Sequence, residues 1–126
     1  MVQRNRTLAI AEIEKSLEYY AKEIYKRKFI HERTFKTLFG ASVGCLAMIW
    51  SLLGDSHTRK LRFEQKHMLW AFMWLKQYGT ETVLSGTVGC TEKTFRERVR
   101  VVLAEINRLY TDVVSDVFKK ILKILH

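Results

Sequence analysis

Five polar residues lie close together, in an order that is typical of the first turns of a DNA-reading helix. They are Lys93, Thr94, Arg96, Glu97 and Arg100. Arg and Lys side chains neutralise phosphates and donate hydrogen bonds to base edges. We therefore predict that Lys93, Arg96 and Arg100 contact DNA, with Thr94 near the bases or the backbone. The alternative interpretation is an ordinary amphipathic helix whose charges are only solvated.

The elements that position these residues are two predicted helices within residues 80–109. Thr80 is expected to cap a short helix that runs to Val88, and Gly89 suits the left-handed residue that ends it. Gly79 is expected to end the preceding helix in the same way. Thr91 then caps a longer helix, whose apolar face comprises Phe95, Val99, Val102, Leu103, Ile106 and Leu109. This spacing predicts a helix-turn-helix with one buried face on its second helix.

The composition is that of a basic, helical, globular chain. The 126 residues carry a net charge of +9 and contain 48% hydrophobic residues, so one domain can bury a real core. The positive charge favours polyanions, with nucleic acid first and anionic membrane second. There is no proline, and only six glycines interrupt the chain. Long helices joined by short connections are the expected result.

Catalytic and metal-binding patterns are missing from the sequence. The four histidines do not stand at ligand spacing with Cys, Asp or Glu, so we expect neither a metal nor a cofactor. No phosphate-binding loop or nucleophile motif occurs, which favours a protein that is not an enzyme. Cys45 and Cys90 are expected to pack as reduced apolar residues. We expect no membrane segment, because the apolar runs are too short.

Periodicity predicts an all-α fold, a single bundle of five to six helices with the helix-turn-helix in its C-terminal half. Residues 1–33 hold an amphipathic helix at about 7–28, and residues 34–110 form the main helical domain. In that domain Gly40 closes a short helix, Ser42 begins an apolar helix that Gly54 stops, and residues 63–78 form a hub helix. Polar residues 55–60 are predicted to be a loop. Residues 111–126 form an amphipathic basic tail helix, interpreted either as a last core helix or as a segment that docks elsewhere.

Three ordered motifs resemble the helical N-terminal region of Harbinger-like DDE superfamily transposases. They are FKTLFGASVGCLAMIWSLL from Phe35, HMLWAFMWLKQYGTE from His67, and GCTEKTFRERV from Gly89. The resemblance covers residues 35–108. It departs from the family at Arg98 and Arg100, where the family pattern favours aromatic residues, and in the tail, which does not resemble the path into a catalytic domain.

This resemblance implies a DNA-binding module without the catalytic domain of those transposases, either truncated or captured for another use. It places Lys93, Thr94, Phe95 and Arg96 at the start of the recognition helix, with Phe95 as the core anchor. Double-stranded DNA is the implied partner, with self-association or a transposase-type protein as further partners. The nucleus is the expected compartment, and the cytoplasm is the alternative. The alternative function is a helical interaction module that self-associates or binds a partner through an exposed apolar face.

Overall fold

In the computed structural model, the residues that are described form six α-helices, which follow one another along the chain. The structure describes the backbone of residues 2–55 and 63–125, and the side chains of residues 9–54, 63–111 and 119–124. The helices are α1 (Val2–Tyr25), α2 (Glu32–Phe39), α3 (Val43–Asp55), α4 (Gln65–Gln77), α5 (Glu81–Val88) and α6 (Glu92–Leu125). No strand occurs within the described residues. The predicted all-α bundle of five to six helices is therefore confirmed.

The central helix is α4, which contacts α1, α2, α5 and α6. Met68 and Leu69 are fully buried, as expected of a helix that is apolar on nearly every side. At its C-terminal end, Gln77 Nε2 donates hydrogen bonds to the Tyr25 hydroxyl at 2.6 Å and to the Leu38 carbonyl at 3.2 Å. These bonds connect the end of α4 to α1 and α2. The predicted hub position of this helix is confirmed.

Local capping signals position the α2–α3 connection as the sequence predicts. Gly40 ends α2 with a left-handed φ of 79°, and its N–H donates to the Lys36 carbonyl at 2.8 Å. Ser42 Oγ accepts a hydrogen bond from the Cys45 N–H at 3.2 Å, which satisfies a free amide in the first turn of α3.

Three local predictions are wrong. Tyr78, with a φ of 52°, is the left-handed residue that ends α4, so Gly79 does not have that role. Gly79 instead allows a close approach, because a Cβ there would lie 3.2 Å from Leu84 Cγ. Gly54 lies inside α3 and does not stop it. Cys45 is exposed, so it is not the buried apolar residue that was expected. The predicted loop at 55–60 falls outside the described residues, except that Asp55 is helical.

The C-terminal tail is a continuation of α6, because this helix passes residue 111 without a break. Its interpretation as a last core helix is wrong for the tail side chains that the structure describes. Ile121, Leu122 and Ile124 are all exposed. Val114, Val117 and Phe118 belong to the same predicted apolar stripe, and their side chains lie outside the described residues. The same amphipathic helix is thus packed in its first half and exposed near its end.

No single described helix has the length and apolar character needed to cross a membrane. Among the described residues, only α2 and α3 taken together are long and apolar enough, by length and composition alone, and the pair is bent by 56°. Phe35, Phe39, Leu46 and Leu53 from this pair are buried in the core. Packing against the other helices accounts for the apolar character of the pair.

Candidate nucleic-acid interface

The first helix of the candidate interface, α5, begins and ends at the residues that the sequence indicated. Thr80 Oγ1 accepts a hydrogen bond from the Val83 N–H at 3.3 Å. Gly89 takes a left-handed φ of 79°, and its N–H donates to the Ser85 carbonyl at 2.9 Å. Such a conformation strains residues with a side chain, so glycine makes the tight turn possible. The predicted cap and turn are confirmed.

The second helix, α6, begins with a threonine cap. Thr91 Oγ1 accepts a hydrogen bond from the Thr94 N–H at 3.2 Å. The Thr91 hydroxyl also donates to Thr94 Oγ1 at 3.0 Å. Glu92 lies in the first turn, where its negative charge is favoured by the helix dipole. Thr94 is exposed, and its side chain takes part in the cap.

Two side-chain contacts join the first turns of α5 and α6. The Thr82 hydroxyl donates to Glu92 Oε1 at 2.6 Å. Arg96 donates through Nε to Glu81 Oε2 at 2.8 Å, and its Nη2 lies 2.8 Å from the same oxygen. The hydrogen bond from Arg96 lowers the pKa of Glu81 below its usual value, and the positive charge of Arg100 acts in the same direction. The start of α6 is therefore fixed relative to α5 by polar contacts.

Apolar packing holds the same turn of α6 against the core. Phe95 is fully buried. Its ring stacks on Trp70 of α4, with centroids 5.9 Å apart and 22° between the ring planes. Val99 and Val102 continue this buried face along α6, and Leu84 covers it from α5. A rigid helix start is what a recognition surface requires, because reading side chains must be held in register.

The opposite side of α6 carries an exposed charged stripe, which we call the outer stripe. It comprises Lys93, Glu97, Arg100, Ala104 and Arg108. These residues follow one another at intervals of three or four, so they share one helical face. Three of them are cations and one is an anion, and the positive end of the helix dipole lies beside Lys93. An anion can therefore approach this face along the helix start.

The structure places the four predicted contact residues in three different settings. Lys93 and Arg100 lie together on the outer stripe and are exposed. Thr94 is exposed beside the cap. Arg96 is turned toward α5, where the ion pair with Glu81 leaves 42% of its side chain exposed. Hydrogen bonding to Glu81 raises the pKa of Arg96 above its usual value, so this guanidinium stays charged and paired.

Sequence reasoning missed the two contacts that fix α5 on α6. Glu81 and Thr82 are unremarkable first-turn residues, and their partners are ten to fifteen positions away. It also missed His67, whose Nδ1 accepts a hydrogen bond from the Glu64 N–H at 2.9 Å at the start of α4. A Glu followed three residues later by His was a signal for this last contact, because side chains at such spacing satisfy the free amides of a first turn.

A second basic region follows α1, at Lys26, Arg27 and Lys28. Together with Tyr19 and Lys22 it borders an open groove. Lys26 has a left-handed φ of 52°, which turns the chain away from α1.

Among the described residues, no group of three or more His, Cys, Asp or Glu side chains could hold a metal ion.

Comparison with known proteins found no matching family model, no similar curated protein and no similar solved structure.

Proposed function

We propose that this chain binds double-stranded DNA through the outer stripe of α6. The observation that carries the proposal is the placement of Lys93 and Arg100, exposed on one face of a helix whose other face is anchored by Phe95. Polar contacts from Glu81 and Thr82 hold the same turn from a second side. In helix-turn-helix proteins, such a supported helix presents its first turns to the major groove. Lys93 and Arg100 would contact phosphates or base edges, and Thr94 would lie beside them.

We further propose that the domain is derived from a transposase and does not itself catalyse a reaction. Support comes from residues within the three motifs that resemble the transposase region. Gly40 ends α2, Trp70 lies in the core, and Phe95 anchors the start of α6. The nucleus is the compartment that this function would require.

The test is binding of the purified chain to a labelled pool of random duplexes at several salt concentrations, with sequencing of the retained duplexes. We expect enrichment of particular sequences and an affinity that falls steeply as salt rises. Replacing both Lys93 and Arg100 by Gln should weaken binding and reduce the slope of log affinity against log salt by about one to two units, since each phosphate contact contributes about 0.9.

A matched control removes two charges from the far end of the same helix. Lys119 and Lys123 are exposed there, and Gln at both positions changes the net charge by the same amount. If the control variant weakened DNA binding as much as the variant with Gln at positions 93 and 100, the affinity would come from the basic surface as a whole. An unchanged affinity after loss of Lys93 and Arg100 would overturn the outer stripe as the interface.

The alternative function is an interaction module that binds a protein partner. It is favoured by an exposed apolar patch at the end of α4, formed by Leu75 and Tyr78. Tyr78 is 91% exposed, and beside it Trp74 and Gly79 border a small groove. Exposed apolar patches of this kind often mark contact sites. This function would be supported if neither the parent chain nor any variant bound DNA. The parent chain would also have to capture a protein partner that the Tyr78→Ser variant does not capture.

A further inference from the structure

The second half of α6 extends past the packed bundle. Leu109 packs against the core and is followed by Tyr110, which is 67% exposed. Lys119 to Ile124 are exposed at every position, so no other helix covers this turn. At 1.5 Å per residue, residues 110–125 span about 24 Å. A helical segment of this length is marginal in water unless its apolar face is covered.

The segment 110–125, YTDVVSDVFKKILKIL, has nearly the same pattern of apolar and polar residues when read from either end. Counting inward from both ends, the two readings meet between Val117 and Phe118. Apolar residues then stand opposite apolar ones, in the pairs Tyr110 with Leu125, Val113 with Leu122, Val114 with Ile121, and Val117 with Phe118. The one exception is Thr111 with Ile124. In an antiparallel pair of copies, the apolar residues of one segment would therefore lie beside apolar residues of the other.

The charges of the segment favour the same orientation. Its first half carries Asp112 and Asp116, and its second half carries Lys119, Lys120 and Lys123. In an antiparallel pair, Asp112 lies level with Lys123, and Asp116 with Lys119, whereas a parallel pair brings six lysines to one end. By helical spacing, these four positions lie on the face away from the apolar stripe, so they do not meet across the seam and favour this orientation only through weak longer-range attraction.

We propose that residues 110–125 pair with the same segment of a second copy of this chain, in antiparallel orientation. The pairing is isologous, because each half of the segment contacts the other half of its partner. A lipid surface fits less well, because membrane-surface helices carry Lys and Arg on their polar face, and here Asp112 and Asp116 occupy its first half. If the proposed DNA binding holds, the dimer would carry two outer stripes at its opposite ends, roughly 60 Å apart along α6.

The test is sedimentation of the full chain without DNA over a range of concentrations. We expect a monomer of 14.9 kDa at low concentration and a species of twice that mass at high concentration. The dissociation constant should be on the order of micromolar, because two short helices bury less than a standard interface. Replacing both Ile121 and Ile124 by Gln should raise the dissociation constant of the dimer at least about a hundredfold, since apolar area is lost in both copies. Both side chains lie beyond the bundle, so the core should remain folded.

The matched control is Gln at both Lys119 and Lys123, on the other side of the same turns. It should change the dissociation constant by less than about tenfold, because these lysines lie away from the apolar stripe and no apolar area is lost. A monomer at all concentrations up to about 100 μM would overturn the proposal. So would a monomer that binds vesicles of phosphatidylserine and phosphatidylcholine through Ile121 and Ile124. Because no DNA is present, failure here leaves the proposed function standing, and failure of DNA binding leaves the dimer standing.

Orientation is tested by oxidative cross-linking in a background that lacks Cys45 and Cys90. Tyr110→Cys and Leu125→Cys chains are each oxidised alone and then as a mixture. Antiparallel pairing predicts disulfide-linked dimers mainly in the mixture, because position 110 of one copy lies level with position 125 of the other. Efficient cross-linking of each variant alone, with no preference for the mixture, would overturn the antiparallel arrangement.

Discussion

The two halves of α6 share one amphipathic periodicity and differ in what covers it. From Glu92 to Leu109, apolar residues such as Phe95 and Val102 lie in the core. Beyond Tyr110, the described side chains are exposed, and Ile124 is 83% exposed. Periodicity therefore predicts that a helical face will be covered, but it does not say by what. In the first half the cover is the same chain, and for the second half we propose a second copy.

Charge follows the same division. In the first half, cations either occupy the outer stripe, as Arg100 does, or are paired within the fold, as Arg96 is with Glu81. In the second half, Lys119 and Lys120 are exposed near the end of the helix, where cations suit its dipole. Similar charge content thus has different consequences, because only the first half has neighbouring helices that fix side-chain direction.

Truncating one apolar side chain in each half gives the largest expected contrast. Phe95→Ala should lower the free energy of unfolding by about 3–5 kcal/mol, because it removes a fully buried ring that stacks on Trp70. Ile121→Ala should change it by less than about 0.5 kcal/mol, because nothing in the bundle covers that side chain. Urea unfolding of both variants at sub-micromolar protein measures the difference without dimerisation. Equal losses would show that the second half packs on the bundle after all.

The sequence predicted most of the first half because its signals are local. Thr80, Gly89 and Thr91 each act on groups within four residues, and the buried face of α6 follows from spacing alone. The Arg96–Glu81 ion pair could not be predicted in this way, because it joins two helices whose relative placement depends on the packed core. For the same reason, periodicity could not distinguish a covered tail from an exposed one.

Acid should destabilise the packed half through His67. Burial, together with the positive charge of Arg98 in the first half of α6, lowers the pKa of His67 from 6.5 to about 4. The unfolded chain therefore binds more protons between these two values. Stability from this group is complete above pH 6.5 and is lost progressively as pH falls to about 4, by up to about 3 kcal/mol.

The measurement is urea unfolding at several pH values between 7 and 4, for the parent chain and for His67→Gln. The variant should lose less stability than the parent over this window, although it starts lower because the buried ring that contacts Trp70 is lost. Parallel pH curves for the two chains would show that His67 does not control the acid response. Ile121→Ala should follow the parent curve, because it alters only the exposed half.

Two threonines on α6 offer a smaller contrast. Thr91→Ala should lower the free energy of unfolding by about 1 kcal/mol, because the hydroxyl that caps the Thr94 N–H is removed. Thr111→Ala should have little effect, because its hydroxyl only donates to the Asn107 carbonyl, which is already part of the helix. Thermal unfolding of both variants checks this. A large loss from Thr111→Ala would indicate that the helix beyond residue 110 contributes to bundle stability.

Replacing Arg96 should have the smallest effect on stability. It also best distinguishes a residue that positions the outer stripe from one that contacts DNA. The guanidinium of Arg96 is paired with Glu81, so Arg96→Ala should lower Tm only slightly, since partly exposed ion pairs contribute little. If Arg96 positions the outer stripe, DNA affinity should fall while its salt dependence stays that of the parent chain. Glu81→Gln should then weaken binding in the same way, although it removes a negative charge. If Arg96→Ala instead reduced the salt slope by about one unit, Arg96 would be a phosphate contact, as the sequence alone predicted.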